Sequence, residues 1–180
     1  MLLPALLVSF VSCSKTDNST DSASGENTSK VFLPEDLLSA SEATELSGFQ
    51  VSIDSGSLVK DSQLGTISER YRYDINDMNT AHALVQIEED GFKPADEINN
   101  GNTARHSFET EMSFSKNEIT AVSDLGDEAF TFNNNGQLHM LYGGYYVVVA
   151  FDADAYTNDK NAQLNITIGH RILANLKEKL

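Results

Sequence analysis

Histidines are the first residues to consider for catalysis or metal binding, because imidazole titrates near neutral pH and is a common metal ligand. The sequence has four of them, none at the His-x-x-x-His spacing that places two ligands on one helix face: His82, His106, His139 and His170. A zinc site would therefore have to be assembled entirely by tertiary structure, and we expect solvated or packed histidines. Gly-x-Ser-x-Gly and Walker motifs are missing from the sequence. We predict no catalytic residue, no metal site and no bound cofactor.

An acidic stretch near the C-terminal end offers oxygen ligands of the kind that calcium prefers. Its members are Asp152, Asp154, Asn158 and Asp159. An EF-hand starting at Asp152 would need glycine where Thr157 stands and glutamate where Gln163 stands. The simpler interpretation is a solvated turn in which Asp159 caps the following helix. Residues 88–90, Glu-Glu-Asp, are likewise interpreted as an exposed strand end.

Cys13 is the single cysteine of the chain, so neither an intramolecular disulfide nor a paired-cysteine zinc site can form. It follows residues 1–12, an apolar run that ends in a small residue, as signal peptides do at their cleavage site. That run is shorter than the roughly 20 residues that a membrane-spanning helix needs. Residues 10–13, Phe-Val-Ser-Cys, resemble a bacterial lipobox, with phenylalanine at the usual leucine position and no basic residue before the apolar run. This resemblance implies lipidation of the Cys13 thiol and cleavage just before it; the alternative is an apolar N-terminus that merely precedes a cysteine.

The charge and composition indicate how the rest of the chain is organised. Residues 14–30 are polar and rich in Ser, Thr and Asn, which predicts a flexible tether. We expect a lipoprotein signal peptide at 1–12, the tether at 13–30 and one domain at 31–180. The chain contains 27 acidic and 12 basic residues, with a net charge of -15. Nucleic acid is therefore excluded as a partner by repulsion.

Three segments show helical periodicity. The first has Ser39 and Glu42 as a capping box and Gly48 as its stop, which predicts a short helix or a helix pair. The second lies between residues 94 and 116, where turn-forming residues 99–102 allow the helix to begin as late as Thr103. The third ends the chain, and its predicted buried face consists of Ala162, Ile166, Gly169, Leu173, Leu176 and Leu180.

Strands are predicted where apolar and polar residues alternate, as in residues 51–53, 67–75 and 83–87. Asn135-Gly136 and Gly143-Gly144 separate three further alternating runs and predict tight hairpins. Strand propensity explains the tyrosines in these runs without any partner, and an amphipathic surface for a partner is the alternative. They are Tyr71, Tyr73, Tyr142, Tyr145 and Tyr146.

This order of elements predicts an α+β fold, with a mainly antiparallel sheet of about five to seven strands covered by N-terminal, middle and C-terminal helices. Residues 38–48, residues 124–130 (Asp-Leu-Gly-Asp-Glu-Ala-Phe), the Gly143-Gly144 turn and the apolar C-terminal helix resemble small bacterial envelope lipoproteins of unknown function with a PsbP-like α/β/α domain. The resemblance implies a PsbP-like sandwich over most of residues 31–180. It assigns a function to no residue.

The functional expectation follows from the predicted anchor. We expect a lipid-anchored protein on the extracytoplasmic face of the cell membrane, acting as a non-enzymatic module that binds an envelope protein or wall component. One alternative is an envelope enzyme or enzyme accessory that uses a cation in the acidic loop at residues 152–159. Another is an extracytoplasmic sensor domain.

Overall fold

The computed structural model describes residues 31–76, 79–152 and 156–180. Cys13, the predicted signal peptide and the predicted tether lie outside these residues. The described elements, in chain order, are α1 (Pro34–Leu37), α2 (Ala40–Ser47), β1 (Gln50–Ile53), β2 (Val59–Asp61), β3 (Thr66–Asn76), β4 (Asn79–Glu89), α3 (Ala95–Asn99), α4 (Ala104–Phe114), β5 (Ile119–Ala121), β6 (Glu128–Phe132), β7 (Leu138–Tyr142), β8 (Tyr145–Phe151) and α5 (Asn158–Lys179).

The strands form one sheet in the order β1-β3-β4-β8-β7-β6-β5, and β2 pairs with β3 beside this row. Every pairing is antiparallel. The β4–β8 pairing joins the two halves of the sheet across a connection that contains α3, α4 and three strands. The predicted α+β class is therefore confirmed.

Capping residues explain where several helices begin and end. The Ser39 hydroxyl accepts a hydrogen bond from the backbone N–H of Glu42 at 3.2 Å, and Gly48 ends α2 with a φ of 73°. Thr103 caps α4 by accepting the His106 N–H at 3.1 Å. These features were predicted correctly.

The cap of α5 differs from the prediction. Thr157 is the N-cap, and its hydroxyl accepts the N–H of Lys160 at 3.4 Å. Asp159 lies inside the first turn, where its negative charge favours the helix dipole without capping. The predicted role of Asp159 as the cap is therefore wrong.

Both faces of the sheet are covered, but by different helices. On the inner face, side chains of β3, β4, β7 and β8 pack beneath α1, α2 and α5. On the outer face, α4 covers only the half of the sheet formed by β6, β7 and β8, with Ala104 and Phe108 packed on Phe130, Leu141, Tyr146 and Val148. Strand β8 is thus buried on both sides, which explains its nearly continuous apolar sequence.

The buried face of α5 agrees with the prediction at Gly169, Leu173 and Leu176 and differs from it at the other three predicted positions. Ala162 and Ile166 are only partly buried, and Leu180 is exposed. Asn161 and Asn165 are buried instead. The reason is hydrogen bonding: the Asn165 carbonyl accepts the Phe151 N–H at 2.8 Å, while its amide donates to the carbonyls of Gly136 and Phe151 at 2.9 and 3.0 Å. A buried amide with these partners is satisfied in the core.

Residues 88–90 do not form the predicted exposed strand end. Glu88 is buried on the outer face, where it pairs with Lys93 and accepts the Ser107 hydroxyl at 2.7 Å. Glu89 is buried on the inner face, because successive strand residues point to opposite sides of a sheet. Its carboxylate accepts the Phe32 N–H at 2.7 Å.

The sheet has two distinct ends. We call one the Glu89 end; it contains the last residue of β4, the β2–β3 turn and the Gly143-Gly144 turn between β7 and β8. We call the other the Gly136 end; it contains the β6–β7 turn and the first turn of α5. Strand β8 runs from one of these ends to the other in seven residues, so the ends are about 20 Å apart at about 3.4 Å per residue.

Candidate functional site

The acidic loop does not gather a set of metal ligands. One carboxylate oxygen of Asp152 accepts the Asn161 amide at 2.7 Å, and its carbonyl accepts the Tyr73 hydroxyl. The Asn158 amide donates to the Asn133 carbonyl at 3.2 Å. Asp154 lies outside the described residues. Within residues 31–76, 79–152 and 156–180, no group of three or more His, Cys, Asp or Glu side chains is placed to hold a metal ion.

The histidines are solvated or packed, as predicted. His82, His106 and His170 are exposed, and His82 lies 3.5 Å from the carboxylate of Asp54. His139 is buried on the outer face of β7. The structure therefore brings no two of the four into a common site.

A cleft lies at the Gly136 end, between the β5 edge of the sheet and the start of α5. Its volume is about 550 Å³. Thr120, Val122 and Thr131 lie on the strand side. The helix side includes Ala162 and Ile166, two of the six residues that the sequence placed on the buried face of α5. Their partial burial therefore leaves apolar surface in this cleft.

One charged side chain, Asp159, lines the cleft, and the remaining lining is apolar, hydroxyl or amide. Its rim is ordered by hydrogen bonds, because the Thr120 hydroxyl donates to the Asn133 side-chain carbonyl at 2.7 Å. A protein with a net charge of -15 and a carboxylate in this cleft will disfavour anionic ligands there. The lining fits a neutral or basic group that also offers hydrogen bonds.

Strand β5 is an edge of the sheet, and its outer backbone groups border the cleft. The Val122 N–H bonds to the Ala129 carbonyl at 2.9 Å, and the Asn133 N–H bonds to the Glu118 carbonyl at 2.8 Å. In an antiparallel ladder the direction of these groups alternates, so Ile119 and Ala121 direct their N–H and C=O groups away from β6. Such groups can pair with an added strand.

A second, smaller recess of about 290 Å³ lies on the other side of the β6–β7 turn, beside His139. His139 Nδ1 lies 2.5 Å from the Tyr146 hydroxyl, and its ring stacks on Phe130 with centroids 4.8 Å apart. Within the described part of the chain, His139 Nε2 is buried and has no hydrogen-bond partner. Phe132 and Gln137 are among the other residues that line this recess.

Burial lowers the pKa of His139 to about 4, because the charged imidazolium loses its hydration. Burial also raises the pKa of the Tyr146 phenol. Both groups are therefore neutral at pH 7, and the phenol donates to Nδ1. The pair positions a neutral ring, and the lining of the recess includes no Ser, Thr or Cys that the ring could activate as a nucleophile.

The alternative of a tyrosine surface for a partner fails for three of its five members. Tyr71, Tyr73 and Tyr146 are buried. The hydroxyl of Tyr71 donates to the Leu38 carbonyl at 2.7 Å, which ties α1 to the sheet. Tyr142 and Tyr145 are half-buried at the Glu89 end. Strand propensity and core packing account for these residues.

Sequence reasoning missed the cleft, although Asn133 and Thr120 carried a weak signal of it. Residues 133–135 are three successive asparagines, of which only Asn135 was interpreted, as part of the turn with Gly136. The β4–β8 pairing places β7, β6 and β5 in turn beyond β8, and this order makes β5 an edge of the sheet. A pairing between residues about 60 positions apart has no local sequence signal.

The comparisons with known proteins add no relative. No family model, curated protein or solved structure matches this chain. The resemblance to PsbP-like envelope lipoproteins therefore stays a prediction. No helix in residues 31–76, 79–152 and 156–180 is long and apolar enough to cross a membrane.

Proposed function

We propose that this chain is a lipid-anchored envelope protein whose domain binds an extended protein segment at the free edge of β5. The observation that carries the binding step is the combination of outward backbone groups at Ile119 and Ala121 with the adjoining cleft. An added strand would pair with the backbone groups. Every second side chain of that strand would enter the cleft.

The chemistry of the site defines the segment. Asp159 and the overall negative charge favour a basic or uncharged segment. Strand β5 has only three residues, so the paired stretch is short. Affinity then depends on the side chain in the cleft as well as on the backbone. A non-enzymatic module is consistent with the neutral His139–Tyr146 pair and with the Asp152 carboxylate, which accepts a hydrogen bond from Asn161.

The binding step is tested by replacing Ala121 with proline. Proline at an edge position is tolerated when the missing N–H faced outwards, so Ala121→Pro removes the donor that an added strand needs and leaves the β5–β6 ladder in place. Ala121→Ser is the matched control, because serine keeps the N–H.

A displayed library of six-residue peptides provides the probe. Peptides that bind the unaltered chain should be uncharged or basic, and Ala121→Pro should weaken them at least tenfold in fluorescence anisotropy. Ala121→Ser should bind them normally, and Asp159→Asn should weaken the basic peptides selectively. Equal binding by Ala121→Pro, or a library without peptides that depend on this edge, would contradict the proposal.

The anchor is tested separately by mass spectrometry of the chain isolated from bacterial membranes. We expect a chain that begins at Cys13 and carries a diacylglyceryl thioether, since two acyl chains hold a protein stably where one does not. Cys13→Ser should leave the chain uncleaved and unlipidated. An unmodified thiol in the unaltered chain would remove the anchor from the proposal.

A further inference from the structure

Exposed large apolar side chains are unevenly distributed over the described residues. They are Val31, Leu58, Val59, Leu64, Phe114 and Leu180. Four of the six belong to the β2–β3 hairpin or to the residue at which the described chain begins. We call these four, Val31, Leu58, Val59 and Leu64, the hairpin patch. Single apolar residues on a surface are ordinary, whereas a group of them indicates a contact surface.

Glu89 places two members of the hairpin patch, Val31 and Leu64, at the same end of the sheet. Its carboxylate accepts the N–H of Phe32 at 2.7 Å, and its own N–H donates to the Gly65 carbonyl at 2.9 Å. Val31 and Leu64 are each one residue away from these bonded positions. Both therefore lie at the Glu89 end of the sheet, beside the point where the preceding chain joins the domain.

The hairpin presents its apolar side chains in a defined turn. The carboxylate of Asp61 accepts the backbone N–H groups of Gln63 and Leu64 at 2.9 and 3.1 Å. Leu64 is nevertheless 61% exposed, and Val59 is 60% exposed. An ordered turn that holds leucine in water exposes apolar surface whose burial would be favourable.

The chain that precedes Val31 identifies what covers the hairpin patch. Residues 14–30 form the predicted tether, and 17 residues of flexible polar chain span about 20 Å. If Cys13 is anchored in a bilayer, the Glu89 end lies on average about that far from the lipid surface, and the chain brings this end to the lipid first. The Gly136 end lies about 20 Å farther along the sheet, on the side away from the point where the tether joins the domain.

We propose that the hairpin patch docks on the lipid surface to which the chain is anchored, with Leu64 entering the boundary between headgroups and acyl chains. This inference rests on the anchoring through Cys13 in the proposed function. Lys60 lies beside the patch, and Lys177 lies near the same end, with its Nζ 5.2 Å from the centroid of the Tyr142 ring. The positive charge of each lysine suits lipid phosphates. Docking turns the β5 cleft towards the solvent, where a partner reaches it.

The chain contains no tryptophan, so a single introduced tryptophan reports its own surroundings. Leu64→Trp places the probe in the hairpin patch. Phe114→Trp is the matched control, because Phe114 is 86% exposed at the end of α4, near the Gly136 end. Both substitutions keep an apolar side chain at an exposed site, and circular dichroism checks that both variants fold.

The chain from Cys13 onward is coupled through its only thiol to a maleimide phospholipid in phosphatidylcholine vesicles. With brominated phosphatidylcholine, the fluorescence of Leu64→Trp should fall at least twofold and shift to shorter wavelength, while Phe114→Trp should not change. Equal quenching of the two variants would overturn the inference. So would a blue shift of Leu64→Trp that rises with protein concentration without vesicles, since a second copy would then cover the patch.

The two proposals fail separately in these experiments. Chemical coupling supplies the anchor whether or not bacteria lipidate Cys13, so the quenching result depends on the hairpin patch alone. Mass spectrometry of the natural chain tests lipidation without reference to the patch.

Discussion

The two ends of the sheet each bury an ionisable side chain, and the two respond to pH in opposite directions. At the Glu89 end, burial raises the pKa of Glu89 to about 7, partly offset by the hydrogen bond from the Phe32 N–H. Near the Gly136 end, burial lowers the pKa of His139 to about 4. In both residues the same cause, the loss of hydration, favours the neutral form. One is an acid and the other a base, so their contributions to stability oppose each other.

The sign of each contribution follows from which state binds more protons. Glu89 has an ordinary pKa of 4.5, so its contribution is complete below pH 4.5 and is lost as the pH rises through 7. His139 has an ordinary pKa of 6.5, so its contribution is complete above pH 6.5 and is lost as the pH falls through 4. Between pH 5 and 8 each changes stability by about 2 kcal/mol, and the two largely cancel.

The largest effect on stability is expected from removing the ion-pair partner of the other buried carboxylate at the Glu89 end, Glu88. Glu88 differs from Glu89 because it is paired with Lys93, and both side chains are less than a tenth exposed. Lys93→Met leaves the Glu88 charge buried without its cation, and the free energy of unfolding should fall by about 3–5 kcal/mol in urea denaturation at pH 7.5.

Two further variants control this experiment. Adding Glu88→Gln to Lys93→Met removes the unpaired charge and should recover most of the loss. Lys60→Met, at an exposed position, should change stability by less than about 0.5 kcal/mol. A small effect of Lys93→Met alone would show that the pair is hydrated in solution.

A smaller effect is expected from Glu89→Gln, which keeps the acceptor for the Phe32 N–H and removes the titration. The free energy of unfolding at pH 8 should rise by up to about 3 kcal/mol, because the native state no longer holds a buried carboxylate. The variant should also become less stable on acidification from pH 8 to 5, since the change due to His139 is no longer cancelled. Glu45→Gln, on an exposed face of α2, should show neither change.

The smallest of the three is expected from His139→Asn, whose side-chain carbonyl can take the place of Nδ1 as acceptor for Tyr146. Relative to the unaltered chain, this variant should gain about 2 kcal/mol on going from pH 8 to 5, as measured by urea denaturation at each pH. If both variants follow the pH profile of the unaltered chain, the assigned pKa values are wrong and the symmetry between the two ends is lost.

The features that sequence predicted are local ones. Ser39, Gly48 and Thr103 cap helices through hydrogen bonds to residues at most four positions away. The local sequence is therefore sufficient to predict these caps. Strand alternation in residues 67–75 and 83–87 likewise predicted β3 and β4.

The features that sequence missed depend on distant partners. Glu89 is buried because residues 32–38 lie across the sheet, 57 positions away from it at Phe32. Asn161 and Asn165 replace the expected apolar contacts because the end of β8 needs hydrogen-bond partners. His139 and Tyr146 meet because a hairpin brings β7 beside β8 under α4. Neither residue type nor periodicity indicates such partners.

Asn165 has a consequence for how the domain unfolds. Strand β7 begins at Leu138, opposite Val149, so Phe151 and Gly136 would be the next residues in line beyond the paired stretch. The side-chain amide of Asn165 sits between them and imitates one peptide unit of a neighbouring strand. Helix α5 is thereby hydrogen-bonded to the backbone at the end of the β7–β8 ladder and also packs on the sheet. Its detachment would strip three main-chain groups of their partners at once, so the last helix and the central strand must melt as one cooperative unit.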